Sequence, residues 1–401
     1  MIPFSPPRID ERTIAEVTAA LRSGWITTGP RTKAFEQKLA AYCGVPKVIA
    51  LNAWTNACEL VLRWYGIGSG DEVIVPAYTY CATANIVMHV GAKPVMVDVK
   101  DDFTIDVEAA RAAITANTKC IIPVDIGGLP ADVEAVMRLA EEARETFTPS
   151  NDVQKLLGRP LVLSDAAHSF GATIGGRKVG AQADITGFSF HAVKNLTTAE
   201  GGALAFHLPQ GFDAEEIYRL FNVMSLHGQS KDALAKTQPG AWRYDVTLLG
   251  WKCNMTDLQA AIGLIELERY DSDTLVRRKA ICARYDRSFA GDARLIAPTF
   301  KDAGREGSYH LYMLRVAQAT EAQRDAIISA IAKREVSVNV HFIPMPMLSF
   351  YKGLGYRMED YPNTYQHYSR EISLPVYYDL TDEQVDAVVK AVKDAVTEIM
   401  G

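Results

Sequence analysis

The sequence predicts an α/β protein built on a mainly parallel, seven-stranded sheet with helices on both faces. Two observations indicate this fold: seven short apolar runs, and helical segments that separate them. A strand buried on both faces is a nearly continuous apolar run. Strands interleaved with helices pair in parallel through right-handed crossovers. The expected strands are residues 48–51, 72–76, 94–97, 120–124, 161–164, 185–190 and 203–206.

Two helices are expected before the first strand. The first begins after Asp10, whose side chain can cap it, and ends at Gly24; the second ends before Gly44. The apolar residues that share a face are Ile14, Val17 and Leu21 in the first helix and Phe35, Leu39 and Tyr42 in the second.

The pattern divides the chain into a large domain, residues 1–265, and a smaller C-terminal α+β domain, residues 266–401. The boundary is placed within a pair of helices, 256–270 and 274–289. Beyond it we expect a strand at 309–316, a helix at 321–334, a strand at 336–341 and a closing helix at 381–400. Residues 145–160 are polar and contain several turn formers, which predicts a surface insertion.

The composition excludes several classes of protein. Of 401 residues, 48% are hydrophobic and 22% are charged, as in a globular protein large enough for two cores. The net charge of -6 disfavours a nucleic-acid partner. No apolar run approaches a membrane span, and the N-terminus lacks a signal peptide's pattern. The six cysteines show no CxxC spacing, so we expect free thiols, no metal site and a cytoplasmic location.

Lys194 is the most informative single residue. It follows the apolar run 185–190 and precedes a pair of glycines, in the stretch SFHAVKNLTTAEGG at 189–202. An amine at the end of a buried strand is poorly solvated, which favours its neutral, nucleophilic form. Such an amine can attack an aldehyde and later leave it. A lone lysine here would more often be an ordinary surface residue.

Asp165 changes that judgement. It stands at the carboxyl end of the expected strand 161–164, at the edge where open α/β sheets bind ligands. A carboxylate there can keep a pyridine nitrogen protonated, through a charge-assisted bond of roughly 1.5–3 kcal/mol. Lysine with aspartate is the pyridoxal 5'-phosphate (PLP) arrangement. The alternative for Asp165 is a helix N-cap worth about 1 kcal/mol.

Four motifs in order now resemble the DegT/DnrJ/EryC1/StrS family of PLP-dependent nucleotide-sugar aminotransferases, of fold type I. They are SGWITTGP at 23–30, SDAAH at 164–168, the stretch 189–202, and GWKCNMTD at 250–257. The resemblance covers nearly the whole chain and makes residues 1–265 the PLP-binding domain. The first and last motifs are most similar to enzymes that aminate UDP-4-ketosugars.

The cofactor's phosphate needs hydroxyls and a helix N-terminus. Thr55 follows the first strand and opens a helix, so it can cap that helix and offer its hydroxyl to a phosphate. The resemblance places the phosphate turn at Trp54 and Thr55. Trp54 departs from the family pattern, in which a small residue more often precedes the threonine. By resemblance Ser189 supplies the second hydroxyl.

The resemblance assigns three further cofactor contacts. Tyr80 would stack on the pyridine ring, although a core aromatic fits the sequence equally well. His168 would lie near the phenolic oxygen, with a helix-start histidine as the alternative. Asn254 would reach the phosphate from the neighbouring subunit, which makes the protein a homodimer. The substrate-binding residues implied by resemblance are Thr27, Thr28, Lys252 and His341.

The implied reaction is a transamination with Lys194 as the catalytic residue. The donor would be L-glutamate, and the acceptor a nucleotide 4-keto-6-deoxy sugar, with UDP-2-acetamido-4-keto-2,6-dideoxyhexose as the first choice. The product, a 4-amino sugar, serves capsule, lipopolysaccharide or other glycan synthesis. Alternatives are a dTDP-4-keto-6-deoxyhexose or a UDP-4-keto-pentose. Sugar 3-dehydratases of the same fold carry histidine in place of Lys194. A non-catalytic PLP-binding regulator would tolerate the loss of Lys194 or Asp165, and both are present.

Overall fold

A computed structural model describes residues 1–230 and 243–401. Its helices are α1 Glu11–Arg22, α2 Pro30–Cys43, α3 Trp54–Trp64, α4 Ala82–His89, α5 Val107–Ala112, α6 Val133–Glu142, α7 Asp152–Leu157, α8 Ala214–Ser225, α9 Asp257–Arg269, α10 Leu275–Phe289, α11 Glu321–Ala332, α12 Ser349–Gly353, α13 Pro362–Tyr368 and α14 Asp382–Met400. In the described part of the chain, no helix has both the length and the apolar character that crossing a membrane requires.

The strands are β1 Lys47–Leu51, β2 Glu72–Pro76, β3 Lys93–Val97, β4 Thr118–Ile121, β5 Leu161–Asp165, β6 Thr173–Ile174, β7 Arg177–Lys178, β8 Ile185–Ser189, β9 Gly202–Phe206, β10 Leu295–Ile296, β11 Arg305–Glu306, β12 Tyr312–Val316 and β13 Glu371–Leu374. The predicted seven-stranded sheet is confirmed, with the order β1-β9-β8-β5-β4-β2-β3. Only β9 runs against the others, since it pairs antiparallel with both β1 and β8. The carboxyl ends of β1, β2, β5 and β8 therefore share one edge.

Both faces of this sheet are covered, because alternate residues of its strands enter different cores. Ile49 and Leu51 of β1 pack into one apolar cluster with α3 and α4. Val48 and Ala50 of the same strand pack into the other, with α2 and α6. Residues that are buried on both faces leave no polar side to the strand, which is why the pattern was readable in the sequence.

A third apolar cluster lies in the C-terminal part of the chain. There α10, α11 and α14 pack on the sheet β10-β12-β13. The predicted strand 309–316 and the helices 321–334 and 381–400 are found as β12, α11 and α14. The division into domains at 265/266 stays a prediction; Tyr270–Thr274 form a π-helical turn that joins α9 to α10.

One local prediction is wrong and another is incomplete. Residues 336–341 do not form a strand: Val336 bridges Ile2 in parallel and Asn339 bridges Ser373 antiparallel, so the neighbour changes before a ladder can form. The segment 145–160 is more than a surface insertion, because it contains α7. Within it Gln154 is buried, and its Nε2 donates to the Tyr65 carbonyl oxygen at 2.9 Å.

Candidate active site

A cavity of about 370 Å³ opens at the carboxyl edge of the central sheet. The sequence-predicted residues that line it are Trp54, Thr55, Tyr80, Asp165, His168, Ser189, Lys194 and His341. They come from the ends of β1, β2, β5 and β8, plus one segment of the C-terminal region. The parallel sheet thus gathers residues far apart in sequence at one edge.

Asp165 ends β5 and is buried. Its Oδ2 accepts a hydrogen bond from the Thr83 hydroxyl at 2.9 Å, and its Oδ1 accepts one from the Ala167 N–H at 3.2 Å. Burial raises the pKa of this carboxyl to about 6, while the two hydrogen bonds and the charge of Lys194 oppose the shift. A turn rather than a helix follows Asp165, so the helix-cap alternative is wrong.

Lys194 lies in a turn after β8, the strand that pairs with β5. Its backbone N–H donates to the His191 carbonyl oxygen at 2.9 Å, which fixes the turn. Burial lowers the pKa of the amine to about 8, and the carboxylate of Asp165 opposes that shift. An ammonium loses favourable hydration in the cavity, so a substantial neutral fraction exists near neutral pH.

His168 presents a defined ring nitrogen to the cavity. Its Nδ1 accepts a hydrogen bond from the Gly127 N–H at 3.2 Å, so the proton of the neutral ring is on Nε2. Burial holds the pKa of this imidazole well below its usual range. His310 lies beside it, with the ring centroids 4.4 Å apart, and its Nδ1 bonds Oδ1 of Asn195 at 2.7 Å.

The first turn of α3 offers an anion site. The helix begins at Trp54, and its N-cap is Ala53, which provides no side-chain cap. The prediction that Thr55 caps the helix is therefore wrong: Thr55 lies inside the first turn. Ala53, Trp54 and Thr55 of this uncapped turn line the cavity that Ser189 also lines.

Trp54 fits this turn because glycines lie opposite it. The side chain is 5% exposed and packs into the core. A Cβ at Gly187 would lie 2.9 Å from the Trp54 indole nitrogen, and a Cβ at Gly202 would lie 2.4 Å from the Trp54 backbone nitrogen. The missing side chain at Gly187 on β8 thus makes room for the indole of Trp54, whereas the one at Gly202 on β9 makes room for the backbone of the turn.

Aromatic and imidazole rings form the mouth of the cavity. Tyr80 is 58% exposed, and its ring centroid is 5.4 Å from that of Phe342, so the core-aromatic alternative for Tyr80 is wrong. His341 stacks on Phe4 at 5.4 Å. Burial lowers the pKa of His341 to about 4, with the charge of Lys194 acting in the same direction.

Four predicted residues do not line this cavity in their own chain: Thr27, Thr28, Lys252 and Asn254. The last three form a separate hydrogen-bonded cluster. Asn254 Nδ2 donates to the Thr28 hydroxyl at 2.5 Å, and Lys252 Nζ donates to Asn254 Oδ1. The Thr27 carbonyl oxygen accepts from the Asp257 N–H at 3.0 Å beside them.

Sequence reasoning missed several residues of the site. Thr83 has no motif signal, since it lies in α4 and meets Asp165 only through the sheet order. His310 was not singled out: it lies within the predicted strand 309–316, of which the structure forms only Tyr312–Val316. Phe4 and Phe342 come from irregular segments that only packing brings to the mouth. The one available signal in the sequence was a histidine, His310, shortly after a glycine and a serine at 307–308.

Comparison with known proteins agrees with this geometry. The model of the DegT/DnrJ/EryC1/StrS aminotransferase family matches residues 7–393. The chain is 39% identical to the spore coat polysaccharide biosynthesis protein SpsC of Bacillus subtilis, covering 98% of this chain and 97% of that protein.

Solved structures give the same answer. Spr1654 from Streptococcus pneumoniae, a protein assigned as a sugar aminotransferase, matches in its PMP-form with a TM-score of 0.96 and 47% identity over 100% of both chains. Its PLP-form matches with a TM-score of 0.95 and 45% identity, again over 100% of both chains. Helicobacter pylori PseC, an aminotransferase involved in pseudoaminic acid biosynthesis, matches with a TM-score of 0.85 and 27% identity over 99% of both chains.

These matches confirm fold type I and PLP as the cofactor. The cavity fits that group, because a buried carboxyl, a low-pKa amine and an uncapped helix N-terminus lie around one space. The chain belongs to the DegT/DnrJ/EryC1/StrS aminotransferase family and is a PLP-dependent sugar aminotransferase.

Proposed function

We propose that the protein transfers the amino group of L-glutamate to C4 of a nucleotide-linked 4-keto-6-deoxy sugar. The preferred acceptor is UDP-2-acetamido-4-keto-2,6-dideoxyhexose, and the product is the 4-amino sugar. The observation that carries the proposal is the pairing, within one cavity, of the Lys194 amine with the buried carboxyl of Asp165.

Lys194 is the proposed catalytic residue. PLP supplies, when bound, an aldehyde carbon and an electron-withdrawing ring. With a pKa of about 8, Lys194 Nζ is neutral in a fraction of molecules, and it would hold PLP through that carbon. Freed by the amino donor, the same Nζ would carry a proton from the donor's amino-bearing carbon to the carbon of the cofactor, and in the opposite direction for the sugar. Such positioned acid–base catalysis contributes typically about 10²–10⁴-fold.

Asp165 is proposed to hold the ring nitrogen in its protonated state. The hydrogen bonds from Thr83 and Ala167 favour the ionised carboxylate against the cost of burial. A positive charge brought next to Asp165 lowers the carboxyl's pKa further, since opposite charges stabilise each other at close range. The carboxylate is then ionised where the ring nitrogen needs it.

The other cavity residues are proposed to orient the cofactor. Thr55, Ser189 and the first-turn N–H groups of α3 hold the phosphate, with Trp54 at the same turn. His168 directs its Nε2–H to the phenolic oxygen, because its Nδ1 is occupied by Gly127. Tyr80 covers the ring from the solvent side.

A homodimer would complete the site. The cluster of Thr28, Lys252 and Asn254 lies outside the cavity of its own chain, so it is free to serve the cavity of a partner subunit. Asn254 would donate to the phosphate, and its second N–H makes only a long contact, 3.4 Å, to the Met255 carbonyl oxygen. On α1, Ile14 and Leu21 are 47% and 55% exposed, which leaves an apolar surface for a partner to cover.

The sugar assignment rests on the motif wording at 23–30 and on the relatives. Thr27, Thr28 and Lys252 of one subunit and His341 of the other would contact the sugar nucleotide. SpsC takes part in spore coat polysaccharide synthesis and PseC in pseudoaminic acid synthesis. We place this protein likewise in capsule, lipopolysaccharide or other glycan synthesis. All six cysteines are free, which supports a cytoplasmic location.

A panel of nucleotide 4-ketosugars tests the proposal. Purified protein with L-glutamate receives UDP- and dTDP-linked 4-keto-6-deoxyhexoses and a UDP-4-keto-pentose. Product mass and the NMR signal at C4 identify the new amine. We expect the UDP-linked 2-acetamido sugar to react with the highest kcat/KM. A higher kcat/KM with a dTDP sugar or the pentose would show that the proposed acceptor is wrong. If another amino acid, and not glutamate, bleached the colour of protein-bound PLP, the proposed donor would be wrong.

A further inference from the structure

A chain of hydrogen bonds lies behind His341. The His341 backbone N–H donates to Glu371 Oε2 at 3.0 Å, and His341 Nδ1 is 2.9 Å from the Ser373 hydroxyl oxygen. That hydroxyl is in turn hydrogen-bonded to Glu371 Oε1. Glu371 and Ser373 are both fully buried on β13, and neither lines the cavity. Of these three hydrogen-bonded residues, His341 alone lines the cavity.

His341 lines the cavity, and its Nδ1 bonds Ser373, which does not, so Nε2 is the ring nitrogen left for a bound molecule. Among the hydrogen bonds of the described residues, none involves His341 Nε2, and this atom is not among their buried unpaired polar atoms. The Phe4 ring stacks on the imidazole with an interplanar angle of 23°, which holds the plane of the ring. Whatever His341 offers to a bound molecule is therefore offered through Nε2.

Each bond of the chain contains one proton, so the protonation of Glu371 sets the state of Nε2. When Glu371 is ionised, Ser373 donates to it, and His341 Nδ1–H donates to Ser373; Nε2 is then an acceptor. When Glu371 is protonated, Oε1–H donates to Ser373, because Oε2 already accepts from the His341 backbone. Ser373 then donates to Nδ1, and Nε2 carries the proton.

The surroundings favour the protonated acid at neutral pH. Burial raises the pKa of Glu371 to about 8, and the bonds from Ser373 and His341 and the charge of Arg324 only partly oppose this. The guanidinium of Arg324 bonds the backbone carbonyl oxygens of Tyr368 and Glu371 and the carboxylate of Asp325, not the Glu371 carboxylate. The titratable or charged groups around Glu371 and His341 are Arg324 on α11, Tyr368 on α13, Tyr78 after β2, Arg315 opposite on β12, and His168, His310 and Lys194 around the cavity.

We propose that Glu371 and Ser373 are positioning residues that hold His341 in the Nε2–H tautomer, so that it donates a hydrogen bond to an acceptor oxygen of the bound sugar nucleotide. The ligand contact rests on the proposed function, whereas the tautomer is a property of the protein alone. The imidazole itself stays neutral, so the buried Glu371, and not protonation of the ring, determines which ring nitrogen of His341 carries the proton. Above about pH 8 Glu371 ionises, the chain reverses, and Nε2 becomes an acceptor that repels the same oxygen.

The tautomer can be measured directly on the holoenzyme. Labelling with ¹⁵N-histidine gives ring signals for the eight histidines, and the His341→Gln variant assigns the pair that belongs to His341. At pH 6.5 we expect a protonated Nε2 and an unprotonated Nδ1. Raising the pH through about 8 should exchange the two. A protonated Nδ1 at pH 6.5 would overturn the proposal.

Two variants separate positioning from packing. In Glu371→Gln the amide oxygen can accept from the His341 N–H while the amide NH₂ donates to Ser373, so the Nε2–H tautomer should persist at every pH up to 9.5. In Ser373→Ala the hydrogen-bond relay is broken, so we expect a mixture of the two His341 tautomers at every pH. Ser369→Ala is the matched control, because among the described residues its hydroxyl bonds only the Gln366 carbonyl oxygen, at 3.3 Å. A wild-type tautomer and pH response in Ser373→Ala would contradict the relay.

Kinetics supply the second readout. In Ser373→Ala we expect KM for the sugar nucleotide to rise about 3- to 10-fold, as for the loss of one neutral hydrogen bond, with the glutamate half-reaction nearly unchanged. Glu371→Gln should keep the wild-type KM at pH 7 and lose its rise above pH 8. If no sugar nucleotide reacts, the proposed function fails while the NMR result still decides the tautomer. An unchanged KM in Ser373→Ala, with turnover present, would remove the role in binding.

Discussion

The two walls of the cavity are built in different ways. The sheet wall consists of Asp165, Ser189 and Lys194, at or just after the ends of β5 and β8. The C-terminal wall consists of His310, His341 and Phe342, which lie outside helices and strands. The sheet wall contains the ionisable pair, whereas burial keeps both histidines of the other wall neutral. We propose that the sheet wall carries the acid–base chemistry and that the C-terminal wall contacts the sugar substrate.

Removing the amine from the sheet wall should have the largest effect. We expect Lys194→Ala to lose transamination by about 10²–10⁴-fold or more, because both the nucleophile and the proton carrier are gone. The fold should survive, since the amine makes no hydrogen bond to any described residue. Activity is measured with glutamate and the best sugar, and thermal unfolding is the control. Turnover within tenfold of wild type would remove Lys194 from the reaction.

Neutralising the carboxylate of the sheet wall should rank next. Asp165→Asn keeps the shape but cannot hold a pyridinium charge, so we expect the rate to fall by about 10- to 150-fold, equivalent to roughly 1.5–3 kcal/mol. Single-turnover formation of the PMP-form from glutamate measures it. A normal rate in that half-reaction would reduce Asp165 to a structural residue.

The cluster of Thr28, Lys252 and Asn254, which lies outside the cavity, tests whether a partner subunit contributes to the site. We expect Asn254→Ala to weaken activity by about 5- to 150-fold, because a buried phosphate left short of a donor costs roughly 1–3 kcal/mol. Mixing inactive Lys194→Ala chains with Asn254→Ala chains should regenerate one complete site per heterodimer, and activity should recover. If heterodimers form but no activity returns, Asn254 does not serve the neighbouring site.

A smaller effect is expected from the support of the sheet wall. Thr83→Val removes the hydroxyl that donates to Asp165 Oδ2 while nearly keeping the volume. The pKa of Asp165 should rise further, and the glutamate half-reaction should slow by about 3- to 10-fold below pH 7. Thr83→Ser is the matched control, since it retains the hydroxyl. Equal rates in Thr83→Val and wild type would show that the Thr83 hydroxyl is not needed to keep the carboxylate ionised.

The sheet wall was readable from the residues themselves, whereas in the C-terminal wall only His341 was expected, and only from the family resemblance. Asp165 directly follows an apolar run, and a parallel sheet brings the ends of β5 and β8 together whatever the loops do. Thr83 was invisible because it meets Asp165 only after α4 packs beside β5. Residues 336–341 looked like a strand from their alternation, yet each end bridges a different neighbour. Only tertiary packing places His341 at the cavity.

The sequence pattern also could not predict whether the apolar face of α1 is buried within its own chain. The apolar residues of α1 were expected on a single face, and they lie on one, but Ile14 and Leu21 are exposed rather than buried. Periodicity identifies an amphipathic helix without saying whether its own chain or another covers the face. The prediction for Thr55 was wrong for a smaller reason: the helix begins at Trp54, two residues earlier than an N-cap at Thr55 requires.

The central claim is that the sheet wall serves both halves of the reaction and the C-terminal wall serves the sugar half alone. Rapid-mixing kinetics on Asp165→Asn and His341→Gln, with each half-reaction followed separately, tests it most directly. Asp165→Asn should slow both halves by similar factors. His341→Gln should slow only the sugar half, by about tenfold for one lost hydrogen bond. Equal slowing of the glutamate half in His341→Gln would contradict the division between the walls.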